Sequence, residues 1–271
     1  MKSLQLKVLS VVASALAVVG VAVAPQATAA ERNLVAFGDS VLADPDAGSY
    51  LAHRYDPSKG VGVDCPTSNN YAKRAGAKLR LPVRDFSCSG AVSMSRGPQV
   101  SQQVDAAIRT GALSPATNRV VITTGFNDTY NHRDLNLPQI RKQFADRTAP
   151  QIERIKRAAP NARVQIVGYP TIGSGPYYCL FHFGPRPADS TFLPGIQDFE
   201  NKAQWMQVDL AARTGVQFLD MKPSTRNNGM CADANQRMWA GLVDFTAGDG
   251  NLPIHMNQRG HEHAANVIAR S

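Results

Sequence analysis

Ser40 is the first side chain in this sequence that could do chemistry. The stretch Val35–Asp46 reads VAFGDSVLADPD, so small and apolar residues lead directly into Gly38-Asp39-Ser40. This pattern is typical of a buried strand that ends in a loop. A serine at that point is either a turn residue or a nucleophile, and a nucleophile needs a base and oxyanion donors nearby. The Gly-x-Ser-x-Gly elbow is absent, because Ser40 is followed by Val41 and Leu42, which argues against an ordinary α/β-hydrolase.

Three later blocks contain candidate partners for Ser40. Gly90 lies in SCSGA, Asn127 in GFND and His255 in HMN. A glycine lets the backbone approach a substrate closely, and an asparagine amide is a neutral hydrogen-bond donor for an oxyanion. Both residues also occur in ordinary turns, so each block is informative only together with the others.

Of the six histidines, His255 is the one that lies just before the last predicted helix. His261 and His263 flank Glu262, but they lack the i, i+4 spacing of helical zinc ligands. We therefore expect them on a solvated helix face. The remaining histidines are expected in loops away from the site: His53, His132 and His182.

The elements that must position these residues alternate along the chain. Apolar, β-branched runs predict five buried strands, at 34–37, 82–86, 119–124, 163–167 and 216–219. Amphipathic segments predict helices at 70–79, 98–109, 138–159, 196–214 and 258–270. This alternation favours an α/β protein with a parallel sheet covered on both faces. The loops that carry Ser40, Gly90 and Asn127 each follow a strand, so they should share the carboxyl edge of the sheet.

The four blocks, in this order, resemble the SGNH hydrolases, also called GDSL lipases and esterases. The similarity is greatest to the secreted actinobacterial lipase, phospholipase and esterase branch, and it covers essentially the whole chain after the N-terminal leader. It implies a flavodoxin-like, three-layer α/β/α sandwich with a five-stranded parallel sheet, formed as a single domain by residues 30–271. It also implies that the protein needs no metal or organic cofactor.

The resemblance gives each block a role. Ser40 is the expected nucleophile and His255 the expected base. The backbone N–H groups of Ser40 and Gly90 and the side-chain amide of Asn127 are the expected oxyanion hole. Asp39 and Asp128 are expected to order their own loops through local backbone hydrogen bonds.

The sequence departs from the family pattern around His255. The family usually has Asp three residues before this histidine, where the present chain has Leu252, and often Pro after it, where the chain has Met256. Some members of the branch orient the histidine with a main-chain carbonyl, which Leu252 or Pro253 would supply here. Asp249 and Asp244 are weaker carboxylate alternatives. We therefore predict a Ser–His dyad supported by a backbone oxygen.

The N-terminus has the features of a secretory signal peptide over residues 1–29. Lys2 and Lys7 precede the apolar run 8–24, which is followed by a small-x-small exit at Ala27-Thr28-Ala29. An uncleaved anchor is the alternative, but the apolar run is short for a membrane span.

Cleavage would lower the formal charge from +8 to +6, because two lysines leave. The remaining cations are scattered, so we predict no nucleic-acid binding, whereas peripheral contact with anionic lipid or a cell surface is compatible with the charge.

The four cysteines predict two disulfides, because their number is even and the chain is predicted to be exported. Three pairings are possible, and sequence proximity suggests Cys65–Cys88 and Cys179–Cys231. No two cysteines have the spacing of zinc ligands.

Three functions are compatible with these features. The first is a monomeric, secreted esterase or lipase that hydrolyses carboxylic esters, with part of its acyl groove in the irregular region 169–195. That region could equally be a surface loop pinned by Cys179. The second is an O-acetyl esterase that acts on polysaccharide or cell-wall acetyl groups. The third is an inactive surface-binding protein of the same fold.

Overall fold

The computed structural model describes residues 31–56, 58–59, 62, 64–248 and 252–271. The predicted signal peptide at 1–29 and Asp249 lie outside the described residues. No helix in the described ranges is both long enough and apolar enough to span a membrane.

A parallel sheet of five strands runs through the centre of the molecule, with the strand order β2-β1-β3-β4-β8. This is the flavodoxin-like order. Each of the five strands lies inside its predicted range or extends one residue beyond it. The strands in chain order are β1 (Leu34–Gly38), β2 (Val83–Asp85), β3 (Arg119–Thr123), β4 (Arg163–Val167), β5 (Tyr177–Tyr178), β6 (Phe181–His182), β7 (Thr191–Phe192), β8 (Gln217–Leu219) and β9 (Val243–Asp244). The two-residue strands form separate pairs, β5 with β7 and β6 with β9.

Helices cover both faces of the sheet. In chain order they are α1 (Ser40–Ala43), α2 (Ala47–Tyr55), α3 (Tyr71–Leu79), α4 (Val100–Arg109), α5 (Phe126–Asn131), α6 (Leu137–Ala158), α7 (Pro194–Thr214), α8 (Lys222–Thr225) and α9 (Gln258–Arg270). One face packs against α3 and α9, and the other against α4, α6 and α7. Strand β1 shows why its sequence is apolar throughout: Leu34 and Ala36 enter the first core, whereas Val35 and Phe37 enter the second. The predicted three-layer α/β/α sandwich is confirmed.

Helix α2 was not predicted, because the region 43–69 reads as irregular. The helix buries none of its residues, so it has no apolar stripe to reveal it. Its signal is local: the Asp46 side chain accepts a hydrogen bond from the Ser49 N–H and caps the helix.

The disulfides join segments near the carboxyl edge of the sheet. Cys65 is bonded to Cys88 in the loop after β2, and Cys179 is bonded to Cys231. This is the pairing that sequence proximity suggested.

Gly38 ends β1 where three segments meet. The buried Gln103 side chain of α4 clamps it, since Gly38 N–H donates to Gln103 Oε1 and Gln103 Nε2 donates to Gly38 O, both at 2.8 Å. A Cβ on Gly38 would lie 2.4 Å from the carbonyl oxygen of Thr123 in the neighbouring strand. A side chain at this position would therefore push β1 away from β3, two residues before Ser40.

We expect Gly38→Ala to lower the free energy of unfolding by at least about 2 kcal/mol, because a rigid backbone atom occupies the space of the new methyl group. Gly195→Ala is the matched control. A Cβ there meets no atom within 4 Å, and its place at the start of α7 makes alanine neutral or slightly stabilising. Urea unfolding of both variants measures the difference, and equal stabilities would contradict the close approach.

Candidate active site

Ser40 lies at the start of α1, directly after β1. Asp39 is the N-cap, and its Oδ1 accepts a hydrogen bond from Val41 N–H at 3.0 Å. Ser40, Gly90, Asn127 and His255 all line one cavity of about 600 Å³. The structure therefore brings together the side chains and loops that the sequence selected from four distant blocks.

Gly90 turns the loop after β2 with a φ of 81°. A Cβ there would meet no atom within 4 Å, so glycine is required by the backbone conformation and not by crowding. Among the described residues, neither the Gly90 N–H nor the Ser40 N–H has a hydrogen-bond acceptor. Both donors are therefore unoccupied beside the cavity.

Asn127 is fixed by hydrogen bonds at both ends of its amide. Nδ2 donates to the carbonyl oxygen of Ala91 at 2.9 Å, and Oδ1 accepts from the Tyr130 hydroxyl, also at 2.9 Å. An amide nitrogen carries two hydrogens, so one remains to donate elsewhere. The bond to Ala91 also holds Asn127 next to the Gly90 loop.

Asp128 orders a distant loop and not its own, which corrects the sequence-based expectation. Its buried carboxyl group accepts hydrogen bonds from the N–H groups of Ser93, Met94 and Ser95 at 2.9–3.2 Å. These residues lie in the same loop as Gly90, so the loops after β2 and β3 are joined. The sequence carries no local signal for contacts across more than 30 residues.

Asp39 has both a local and a distant partner. Besides Val41 N–H, it accepts a hydrogen bond from the Tyr169 hydroxyl. The Tyr169 oxygen in turn accepts from Phe126 N–H at 3.1 Å, which connects the Ser40 loop to the residue before Asn127. Burial raises the pKa of Asp39 to about 7, and the hydrogen bonds from Tyr169 and Val41 oppose this shift.

His255 is oriented by a backbone carbonyl. Its Nδ1 lies 2.8 Å from the carbonyl oxygen of Pro253, so Nδ1 carries the proton in the neutral ring and Nε2 is left with its lone pair. Asp244, a weaker alternative, is engaged elsewhere, because both of its carboxylate oxygens accept hydrogen bonds from Nη2 of buried Arg237 at 2.8–2.9 Å. Burial lowers the pKa of His255, so the ring stays neutral to a lower pH than a solvated histidine.

The turn before His255 is strained. Ile254 has a φ of 57°, which is rare for a β-branched residue. Two hydrogen bonds hold the turn: Ile254 N–H to Gly241 O at 3.0 Å, and Ala240 N–H to His255 O at 2.7 Å. Local strain of this kind persists only where surrounding contacts determine the backbone, and here those contacts set the position of the imidazole.

The buried carboxylate of Asp44 anchors the turn before His255. Asp44 Oδ1 accepts from Leu252 N–H at 3.2 Å, and Asp44 Oδ2 accepts from His261 Nε2 at 2.9 Å. His261 Nδ1 accepts from Tyr71 N–H at 3.2 Å, so its proton must lie on Nε2. Leu252 therefore acts through its N–H, whereas the carbonyl that faces His255 belongs to Pro253.

The expectation for His261 was wrong, because the residue is fully buried. A signal was present: His261, Ala264, Ala265 and Ile268 share one helical stripe, and all are buried. His263 is half-buried, and its Nε2 lies 2.8 Å from Ser224 Oγ outside the cavity. The placement of the other histidines in loops also fails for two of them: His53 lies in α2, and His182 is buried in β6.

The cavity lining is mainly apolar. Ile172, Tyr178, Leu180 and Leu193 come from the region 169–195, so that region does contribute to the cavity, and the disulfide at Cys179 also pins it. Further apolar residues come from elsewhere in the chain: Phe126, Ile196, Met230, Trp239, Leu242 and Leu252. Within the described ranges, no group of three or more His, Cys, Asp or Glu residues could hold a metal ion.

The raised pKa of Asp39 makes stability depend on pH. The folded protein holds this proton up to about pH 7, whereas the unfolded chain releases it near pH 3.8. Between these values the free energy of unfolding should fall as pH rises, by about 1.4 kcal/mol for each pH unit. Asp39→Asn should remove this contribution.

Chemical unfolding across that pH range measures the two slopes. Asp46→Asn is the control, because hydrogen bonds from Ser49 lower the pKa of the exposed Asp46, and its stabilisation is complete above pH 3.8. Identical slopes for the wild-type protein and Asp39→Asn would contradict the burial argument.

Comparisons with known proteins agree with this fold. The chain matches the GDSL-like lipase/acylhydrolase family over residues 36–263. No curated protein matches it. It is similar to the solved structure of phospholipase A1 from Streptomyces albidoflavus NA297, at 19% identity, with a TM-score of 0.55 and coverage of 88% of this chain and 99% of that one.

Two other solved structures share the fold at low identity. A lipase/acylhydrolase from Enterococcus faecalis has 15% identity, a TM-score of 0.50 and coverage of 88% of this chain and 94% of that chain. A carbohydrate esterase family 2 enzyme from Corynascus thermopiles (Myceliophthora fergusii) has 16% identity, a TM-score of 0.52 and coverage of 91% of this chain and 67% of that chain. Because the family match spans most of the sequence, the chain belongs to the GDSL-like lipase/acylhydrolase family and is an ester hydrolase.

Proposed function

We propose that this protein is a secreted serine hydrolase that cleaves carboxylic esters with an apolar acyl chain, using Ser40 as nucleophile and His255 as base. The observation that carries the proposal is the shared cavity, in which a serine, a carbonyl-oriented histidine and unoccupied N–H donors converge. A serine hydroxyl is a weak nucleophile alone, so each of these partners is needed.

The dyad would work without a carboxylate beside the imidazole. The Pro253 carbonyl accepts the Nδ1 proton and holds the ring, so Nε2 is free to take the proton from Ser40 Oγ. The oxygen of Ser40 then forms a bond to the ester carbonyl carbon. The imidazolium returns the proton to the departing alcohol, and an acyl-enzyme remains. Water, activated by the same imidazole, attacks the acyl carbon and releases the acid.

The oxyanion would be held by three donors. These are the backbone N–H groups of Ser40 and Gly90 and the remaining amide hydrogen of Asn127. The amide is already oriented by Ala91 and Tyr130, so little reorganisation is required in the transition state.

The cavity favours a fatty acyl group over acetyl. A volume of about 600 Å³ is in the range of sites that enclose drug-sized ligands, and its lining is dominated by aliphatic and aromatic side chains. An acetyl group would leave most of this apolar surface uncovered, whereas each buried methylene of a longer chain contributes about 0.8 kcal/mol.

The location and organisation of the chain are part of the proposal. A leader at residues 1–29 would direct export, and residues 30–271 would act as one monomeric domain. Two disulfides support an oxidising compartment, because such bonds are rare in the cytosol.

Ser40→Ala is expected to abolish hydrolysis of a soluble p-nitrophenyl ester and labelling by a fluorophosphonate probe. Asn127→Ala should lower kcat by about 10²–10³-fold, because one oxyanion donor is lost. Ser224→Ala and His263→Ala are the controls. They remove the other hydrogen-bonded Ser–His pair, which lies outside the cavity, and should leave kcat unchanged. Activity that survives Ser40→Ala, or is lost with the Ser224 pair, would overturn the assignment.

A further inference from the structure

Three exposed phenylalanines form a cluster on the surface. Phe181, Phe183 and Phe245 are 37%, 60% and 77% exposed. Their rings are in contact, with centroid distances of 6.3 Å between Phe181 and Phe183 and 5.8 Å between Phe183 and Phe245. Single exposed apolar residues are ordinary, but a contiguous aromatic cluster indicates an interaction site.

The cluster extends to the entrance of the cavity. Leu242 and Ile254 are 50% and 47% exposed, and both line the cavity. Backbone hydrogen bonds join the segments that carry these side chains: Phe245 N–H to His182 O, Leu242 N–H to Leu180 O, and Ile254 N–H to Gly241 O, at 2.8–3.0 Å. We call Phe181, Phe183, Leu242, Phe245 and Ile254 the apolar rim.

The rim is supported by a rigid base, so its side chains are held outward. The Cys179–Cys231 disulfide lies two residues before Phe181. Below Phe245, Asp244 is bound by fully buried Arg237, and His182 is also fully buried. Because the groups beneath the rings are already buried and hydrogen-bonded to one another, the rings remain in water unless an external partner covers them.

The segments that carry the rim hold one ion pair and one further charge of each sign. Asp244 is paired with Arg237, and Asp189 accepts hydrogen bonds from the backbone N–H groups of Leu180 and Phe181. Arg186 is exposed on the same loop and makes no ion pair with any described residue. Without the predicted leader the protein carries a formal charge of +6, so the molecule as a whole would be attracted to anionic headgroups.

We propose that the apolar rim docks the enzyme on the surface of assembled ester lipids, with the cavity entrance facing the lipid. The inference rests on the proposed function, since Leu242 and Ile254 belong to the rim and also line the proposed acyl cavity. A lipid acyl chain can then pass from the hydrocarbon layer into the cavity without crossing water. A second copy of the chain seated on the rim would instead cover the cavity entrance.

Vesicle binding separates docking from hydrolysis when it is measured in the Ser40→Ala background. The probe is a vesicle of equimolar phosphatidylcholine and phosphatidylglycerol, and co-flotation gives the bound fraction. Phe183→Ser/Phe245→Ser should weaken binding by at least about tenfold, because two large apolar side chains no longer enter the interface. Tyr55→Ser/Trp205→Ser is the control. It removes two exposed aromatic residues outside the rim and should change binding less than about twofold.

The rim and control double substitutions are then introduced into the chain that retains Ser40, and hydrolysis is measured. The rim variant should hydrolyse a monomeric short-chain ester at the wild-type rate and lose activity only on vesicles, with an unchanged melting temperature. Equal vesicle binding by the rim and control variants would overturn the docking surface, as would a wild-type dimer that dissociates on Phe183→Ser/Phe245→Ser. If the wild-type chain does not hydrolyse esters, the proposed function is refuted, whatever the extent of vesicle binding.

Discussion

The two halves of the candidate dyad are held together by the buried carboxylate of Asp44. This residue ends the short helix that begins with Ser40, and its two oxygens reach Leu252 N–H and His261 Nε2, more than 200 residues away in sequence. A buried carboxylate is strongly destabilising unless both oxygens have partners, and removing one partner typically costs about 3–5 kcal/mol. The folded state therefore requires α1, α9 and the turn before His255 to meet at one point.

This anchor explains how a histidine can be positioned without an adjacent carboxylate. The Pro253 carbonyl faces Nδ1 only because the turn is bent through Ile254, whose left-handed conformation is unfavourable on its own. Asp44, Gly241 and Ala240 hold the two sides of that turn. The negative charge of Asp44 also raises the pKa of His255, although burial outweighs it and the net shift is downward. The imidazole is thus kept neutral and oriented by backbone geometry supported from a distance.

Sequence patterns predicted the framework well, because buried parallel strands must be apolar on both sides. The runs at 34–37, 119–124 and 163–167 are apolar enough to predict buried strands, and all three are strands of the central sheet. The four blocks named the loops that line the cavity. Contacts between polar groups that are distant in the sequence could not be predicted. Asp128 binding the loop after β2, and Asp44 binding Leu252, depend on how the layers pack. The buried position of His261 was visible in its helical stripe, but the expectation of a solvated face rested only on the missing i, i+4 spacing of zinc ligands.

The tautomers of two histidines test this account most directly. NMR of protein labelled with ¹⁵N in the imidazole rings distinguishes a protonated Nδ1 from a protonated Nε2 at neutral pH. The geometry predicts opposite states: His255 protonated on Nδ1, facing Pro253, and His261 protonated on Nε2, facing Asp44. Asp44→Asn should disturb both, because an amide cannot accept from Leu252 and His261 at once. A His255 ring protonated on Nε2 in the wild-type protein would contradict the proposed dyad, because that nitrogen could not take the proton of Ser40.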